Sequence, residues 1–205
     1  DYYPGLRLWA NASSTIPAGA FRVRNTLVAG NRARVSNGLA CGVYVNAFNA
    51  GGDDTVRVVF ENCTVTENRA DKNIVAAFYL SNALAALTNC VFANNTAWAN
   101  GAYGKGGAGL SWHNANESDV PAKIAVANTV IAAGSVSDSL AALLARDASG
   151  MSAKLTAEAN KGGLFAADGV TPSEGTPLVG TGKVEDWMKT STDLAGNARM
   201  NGVFV

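Results

Sequence analysis

The single histidine of the chain, His113, stands between Trp112 and Asn114, with Asn116, Glu117 and Asp119 following it closely. An imidazole beside two carboxylates is the raw material of general acid–base chemistry on a glycosidic bond. His113, Glu117 and Asp119 are therefore the candidate catalytic groups, with an ordinary loop histidine as the plainer assignment. Upstream, Trp98, Tyr103 and Lys105 fall in a Gly-rich stretch, 97–107, that reads as a loop. Aromatic faces beside amides suit sugar rings, whose apolar faces stack while their hydroxyls take hydrogen bonds. Trp98, Tyr103, Lys105, Trp112, Asn114 and Asn116 form the candidate ligand-binding set, although the alternation of apolar residues also places Trp112 at an inward position. Asp53 and Asp54 sit in a Gly-Gly-Asp-Asp-Thr run. They are the candidate metal ligands, but the remaining oxygens of a calcium site cannot be identified, so solvated turn acids are the simpler reading. No cofactor is assigned.

A second group with chemical potential is basic. Arg22, Arg24 and Arg57 fall at outward positions of strands, and Arg32 and Arg69 share one position further along, with Arg34 nearby. Stacked, they would suit an anionic glycan; Glu61, Glu67 and Asp71 are placed to neutralise them. The whole chain of 205 residues carries 16 basic and 16 acidic residues, and no basic block stands out, which argues against nucleic acid as a partner. No apolar run approaches the roughly 18 residues that a spanning helix needs. The beginning, Asp1-Tyr-Tyr-Pro, lacks the basic and apolar regions of a signal peptide and reads as the middle of a longer parent chain. Three cysteines, Cys41, Cys63 and Cys90, match neither a disulfide framework nor a zinc pattern.

What positions these residues is a repeat. Four segments align: Asn25-Thr-Leu-Val-Ala-Gly-Asn31, Asn62-Cys-Thr-Val-Thr-Glu-Asn68, Asn89-Cys-Val-Phe-Ala-Asn-Asn95 and Asn128-Thr-Val-Ile-Ala-Ala-Gly134, with leading Asn residues 37, 27 and 39 apart. Two residues before each Asn stand Val23, Phe60, Leu87 and Val126; four before stand Phe21, Val58, Ala85 and Ile124. Val28, Val65, Phe92 and Ile131 share one place after it. This period of two predicts short strands with a common inner face. A further strand recurs as Gly42-Val-Tyr-Val45, Ala77-Phe-Tyr-Leu80 and Gly109-Leu-Ser-Trp112.

The strands are too short for a sandwich, and equivalent residues recur at the length of a winding rather than of a hairpin. Asn37-Gly38 is the best hairpin turn, and it lacks a clean strand before it. Strands pairing with their counterparts about 4.8 Å away would bury one continuous core. The fold class is thus all-β, a right-handed parallel β-helix, or solenoid. The leading Asn residues suit bends because Asn tolerates left-handed backbone, and their amides are expected to form a ladder from winding to winding. Cys63 and Cys90 then stack with their Cβ atoms pointing the same way, which favours reduced thiols over a disulfide.

Asn62-Cys-Thr-Val-Thr-Glu-Asn-Arg-Ala70 and Asn89-Cys-Val-Phe-Ala-Asn-Asn-Thr-Ala97 resemble the rungs of pectate-lyase-like right-handed β-helix proteins. Phe92-Ala-Asn-Asn95 with Gly106-Gly-Ala108 is similar to the repeat of polymorphic outer-membrane adhesins of bacteria. Gly163-Leu-Phe-Ala-Ala-Asp168, Gly175-Thr-Pro-Leu-Val-Gly180 and Thr192-Asp-Leu-Ala-Gly-Asn-Ala-Arg199 are similar to the tails of bacterial surface proteins of the choice-of-anchor type, although the chain stops before the Asp-x-Gly-Ala-x-Glu motif of such tails. These likenesses cover about 21–135 and 160–199. They imply an extracellular or cell-surface bacterial protein, some of whose relatives cleave polysaccharide while others bind or display.

Residues 1–135 are accordingly assigned to the windings, with 1–20 as a partial winding or covering segment. Residues 136–205 are assigned to a C-terminal cap of the same domain, with a short helix over Leu140–Arg146 capped by Asp138 or Ser139. The functional expectation is a non-catalytic surface module, structural or adhesive, whose partners are a glycan or host-surface molecule and the rest of a longer parent chain. The alternative is a polysaccharide lyase or glycoside hydrolase with its site on an outward strand face or near 97–119.

Overall fold

The computed structural model describes residues 5–10, 17–34, 41–47, 58–71, 77–81, 85–99, 102–104, 110–113, 124–127, 129–132, 153–156, 166–167, 171, 173–174, 184, 186–193 and 195–198. Everything structural below concerns these residues. They are all-β apart from one short 3₁₀ helix, Asp186–Thr190. The strands are β1 (Leu6–Ala10), β2 (Phe21–Arg24), β3 (Leu27–Ala29), β4 (Arg32–Ala33), β5 (Val43–Ala47), β6 (Val58–Glu61), β7 (Thr64–Thr66), β8 (Arg69–Ala70), β9 (Phe78–Ser81), β10 (Ala85–Thr88), β11 (Val91–Ala93), β12 (Thr96–Ala99), β13 (Ala102–Gly104), β14 (Leu110–His113), β15 (Ile124–Ala127), β16 (Thr129–Ala132) and β17 (Ala153–Thr156).

Four sheets result, and the chain visits them in a fixed order. The first is β1-β5-β9-β14, the second β2-β6-β10-β15, the third β3-β7-β11-β16-β17, and the fourth β4-β8-β12-β13. Every pairing is parallel except β12 with β13. Register follows the repeat read in the sequence. Phe21, Val58, Ala85 and Ile124 are successive partners, as are Val28, Val65, Phe92 and Ile131. The third recurrent strand also lines up, with Val43, Phe78 and Leu110 in one row. Within 1–20, β1 pairs in parallel with β5; beyond Gly134, β17 extends the third sheet.

Because side chains alternate across a strand, each row is either inner or outer. The inner rows of the first three sheets meet in one core: Val43, Val45 and Phe78 from the first, Val58, Phe60, Ala85 and Leu87 from the second, and Cys63, Val65, Cys90 and Phe92 from the third. Phe78 lies edge-on to both Phe60 (5.2 Å between ring centres) and Phe92 (5.7 Å).

Two left-handed residues per repeat turn the chain between sheets. Asn25, Asn62 and Asn89 have φ of 50°, 53° and 53°, and a second bend falls at Gly30, Glu67 and Asn94 with φ of 68°, 55° and 54°. Gly and Asn visit this region readily; an L-residue such as Glu is held there at a cost of about 1 kcal/mol. Glu67 is exposed, so its side chain contributes little that offsets the cost. Glu67→Asn is expected to raise the urea midpoint, a gain of about 1 kcal/mol with an unchanged slope. An unchanged or lowered midpoint would contradict the strain assigned to this bend.

The predicted amide ladder exists, but its continuous part runs along a different Asn. At the first bend Asn89 Nδ2 donates to Asn62 Oδ1 (2.9 Å), while Asn25 Nδ2 turns to the carbonyl of Thr192. The unbroken ladder lies just after the second bend: Asn31 Nδ2 donates to Asn68 Oδ1 (2.8 Å), and Asn68 Nδ2 to Asn95 Oδ1 (2.9 Å). The cause is burial. Asn68 and Asn95 are enclosed and must satisfy their amides internally, whereas Asn25 and Asn62 stand at a partly exposed bend that other groups reach. Gly5 sits directly against the first amide of the ladder; a Cβ there would come within 2.5 Å of Asn31 Nδ2.

Two further expectations change. The stretch 97–107, read as a loop, contributes β12 and β13, which pair antiparallel with Trp98 opposite Tyr103. Between them in sequence stands Asn100-Gly101, the dipeptide that suits a two-residue link between twisted strands. The favoured hairpin candidate, Asn37-Gly38, lies outside the described residues, as does the helix expected over Leu140–Arg146. The described end of 136–205 lies along the flank of the early repeats: Met188 is fully buried beside Asn62, and Arg24 lies over the ring of Trp187.

Candidate functional site

The outer face of the first sheet gathers aromatic residues that the repeat places there. Its register puts Arg7, Tyr44, Tyr79 and Ser111 in one row and Trp9, Asn46, Ser81 and His113 in the row two residues on. Leu6, Leu8, Val43 and Val45 point the other way into the core, which is why their neighbours face out. Tyr44 and Tyr79 stack, with ring centres 5.8 Å apart and planes 22° from parallel. The Arg7 guanidinium lies 5.5 Å from the centre of the Trp9 ring and 5.8 Å from that of Tyr44. Such a sandwich holds two rings and a cation in fixed order.

Trp9 is 55 % exposed, the large hydrophobic side chain left open to solvent among the described residues. Asn46 Nδ2 reaches the Tyr44 hydroxyl (3.4 Å), while its Oδ1 is enclosed and accepts no hydrogen bond. Burial, with Tyr44 alongside, pushes the Tyr79 phenol above its ordinary range. Tyr44 is itself buried and Tyr79 half-buried, so the open part of the face is the Trp9 ring with the Arg7 guanidinium.

These residues were not in the candidate set, although their signal was legible. Tyr44 and Tyr79 occupy one place in Gly42-Val-Tyr-Val45 and Ala77-Phe-Tyr-Leu80, the outward place by alternation. Trp9 and Arg7 went unnoticed because 1–20 has no Asn bend with which to align it. Of the expected ligand set, Trp112 shares a row with Leu80, Val45 and Leu8, and Val45 is fully buried; its position belongs to a core row. His113 falls at the end of the Trp9 row. Trp98 and Tyr103 are strand partners on the fourth sheet, in a different sheet from Trp112 and His113. Lys105, Asn114, Asn116, Glu117, Asp119, Asp53 and Asp54 lie outside the described residues.

The arginine rows are matched by carboxylates. Glu61 takes Arg22 (3.2 Å) and Arg24, and Asp71 takes Arg32 (2.7 Å) and Arg69 (3.2 Å). Residues 2–52 hold five arginines and no Asp or Glu, so the first full repeat draws its counter-charges from the next one. These pairs fix neighbouring repeats to each other. Arg57 lies outside the described residues. No group of three or more His, Cys, Asp or Glu side chains among the described residues is arranged to hold a metal ion.

Cys41, Cys63 and Cys90 are free thiols, all buried. Cys41 Sγ donates to the Asn31 carbonyl (3.0 Å), Cys63 Sγ to that of Glu61 (3.3 Å), and Cys90 Sγ to that of Thr88 (3.3 Å). Burial pushes the Cys41 thiol up and the Cys90 thiol well up, whereas the hydrogen bond with Cys90 lowers that of Cys63. Raised thiols attack poorly, and enclosure keeps reagents from all three, Cys63 included. An aromatic disulfide reagent is expected to leave all three untouched in the native protein and to titrate three in denaturant. Rapid native labelling of Cys63 or Cys90 would mean that the core opens.

Comparisons with protein-family profiles, with curated proteins and with solved structures gave no match. Its function is therefore argued from the geometry. No helix among the described residues is long and apolar enough to cross a membrane.

Proposed function

We propose that the chain is a segment of right-handed parallel β-helix that serves as a cell-surface module, structural and adhesive rather than catalytic, and contacts glycan through the outer face of its first sheet. Three or more repeats stacked in register make a stiff rod whose outer rows recur at strand spacing, a scale that matches an extended polymer better than a small molecule. The right-handed turn is the sense that parallel β connections take in nearly all proteins. The likeness of the Asn-Cys-Thr-Val and Asn-Cys-Val-Phe rungs to bacterial surface β-helix proteins supports the extracellular setting.

The observation that carries the glycan reading is the exposed Trp9 ring with Arg7 against it, continued inward by the Tyr44–Tyr79 stack. An apolar sugar face stacks on such a ring, and the guanidinium and amides beside it supply hydrogen bonds to hydroxyl or carboxylate groups. A glycan array followed by a titration with each hit tests this. Trp9→Ala is expected to weaken binding about tenfold or more, the loss of roughly 1.4 kcal/mol of stacking, with the thermal midpoint nearly unchanged. Binding that survives Trp9→Ala removes this face from the proposal. Release of unsaturated or reducing sugars from any hit, abolished by Glu117→Gln or Asp119→Asn, replaces the adhesive reading with a carbohydrate-active enzyme.

A further inference from the structure

The first bend carries a row of asparagines that is incomplete in one place, and the place is filled by the C-terminal region. Asn25, Asn62 and Asn89 are equivalent: each follows a paired strand, each is left-handed, and each backbone N–H of Asn25 and Asn62 donates to the residue preceding the next bend, Glu61 or Thr88. From Asn89 to Asn62 the amides bond at 2.9 Å. By the same geometry Asn62 Nδ2 should donate to Asn25 Oδ1. It does not: it faces the sulfur of Met188 at 3.9 Å, while Asn25 Nδ2 donates to the Thr192 carbonyl at 3.0 Å.

The intruding segment is anchored and braced. Met188 is completely buried, and Trp187 packs under the Arg24 guanidinium at 5.5 Å from the ring centre. Immediately after it, Asp193 closes a tight turn by accepting from the backbone N–H of Ala195 and Asn197 at 2.9 and 2.8 Å, with Gly196 at φ 85° and Thr192 bridged to Ala198. The segment therefore presents a preformed shape to the bend row.

We infer that the row Asn25–Asn62 with Arg24 is a docking slot for a short polypeptide segment with a buried Met anchor, filled here by residues 186–192, and that the segment is displaceable because its departure lets Asn62 bond Asn25 and complete the amide row. A thioether is a weak acceptor, so the Asn62 amide exchanges a poor partner for a good one when the segment leaves. Among the contacts that hold the docked state against this are the burial of Met188, the Asn25–Thr192 bond and the Trp187–Arg24 stack. The Asn62 amide has a partner in either state, which is what a switchable contact needs.

The full-length Met188→Ala chain, labelled with ¹⁵N, tests both halves through its side-chain amide signals. The Asn62 NH₂ protons are expected to stay protected from exchange in Met188→Ala, and to lose that protection, on the order of tenfold, when Asn25→Ala is added. A synthetic peptide of residues 184–198 added to Met188→Ala should return the Asn62 signal toward its wild-type position. Asn62 protons that exchange freely in Met188→Ala overturn the completed row; a peptide without effect up to about millimolar concentration overturns the slot. Should Met188→Ala give no folded spectrum, the wild-type chain is titrated with the same peptide ¹³C-labelled at its methionine methyl; a buried methyl signal supports displacement, and its absence up to about millimolar concentration overturns the slot.

Discussion

Replacing Asn68 by Ala is expected to be among the most damaging polar substitutions at the described residues, on the order of 4 kcal/mol. One buried amide serves four partners: Asn68 Nδ2 donates to the Val28 carbonyl (3.0 Å) and to Asn95 Oδ1 (2.9 Å), while its Oδ1 accepts from Asn31 Nδ2 (2.8 Å) and the Asn31 backbone N–H (3.1 Å). Truncation removes the donor to the Val28 carbonyl and both bonds to the half-buried Asn31, at about 1–3 kcal/mol for each enclosed group left unpaired, while Asn95 Oδ1 keeps the Asn68 backbone N–H. Asn25→Ala, at the partly exposed bend, should cost no more than about 1 kcal/mol, because water replaces its amide. Asn68→Asp is the sharper case. It keeps the shape but puts a carboxylate oxygen where Nδ2 donated, facing the Val28 carbonyl and Asn95 Oδ1, and buries a charge. Burial raises the folded-state carboxyl pKa above its unfolded value, so the variant is least stable at neutral pH and regains stability as pH falls. Urea unfolding of the three variants at pH 7, and of Asn68→Asp again near pH 4, reads these differences. Equal midpoints for Asn25→Ala and Asn68→Ala would mean that the inner ladder does not hold the repeats together.

That contrast also marks where sequence reasoning stopped. The spacing of Asn25, Asn62 and Asn89 was conspicuous because each opens an aligned segment, and the structure does put these residues at left-handed bends in matching register. Asn31, Asn68 and Asn95 close the same segments and were visible in the same alignment. Which Asn would be buried depends on how sharply the chain turns at Gly30, Glu67 and Asn94, and a one-dimensional pattern does not encode that angle. Glu67, a poor left-handed residue, gave no hint of a bend. Rows of alternating apolar residues, by contrast, state their own facing, so the parallel register and the membership of the core were legible residue by residue.

The candidate site was legible only in part, for a different reason. Chemistry was sought where rare residues cluster along the chain, around His113, yet parallel stacking gathers residues that are about 27–37 positions apart. Arg7 and Trp9, neighbours on β1, meet Tyr44 and Tyr79 through such stacking. The register of β14 places Trp112 in the row of Val45 and His113 in the row of Asn46. Asn100-Gly101 gives only a weak signal within a Gly-rich stretch, although Trp98 and Tyr103 flank it as a strand pair.

Phe78→Ala should rival Asn68→Ala, for apolar reasons. Phe78 is fully buried and touches one ring from each neighbouring face, Phe60 of the second sheet at 79° between planes and Phe92 of the third at 85°. It is the link through which three sheets share a core, whereas Phe60 and Phe92 are joined through it. Removing a buried Phe costs about 3–5 kcal/mol, and two edge-to-face contacts vanish with it. A narrow interior collapses poorly into the gap, since each wall is pinned by strand pairing above and below, which pushes the expectation to the upper end of that range. Against a total stability of about 5–15 kcal/mol, such a loss lowers the thermal midpoint by many degrees. Phe78→Leu, which fills most of the space, should cost about 1.5 kcal/mol or less. Tyr79→Ala, the next residue but on the other face of the strand, should be milder than Phe78→Ala, because its ring is only half-buried and stacks on Tyr44 rather than on Phe60 and Phe92. Thermal and urea denaturation of the three variants therefore measures whether one residue step along β9 passes from core to surface; a Tyr79→Ala loss as large as that of Phe78→Ala would mean that the outer face is buried too.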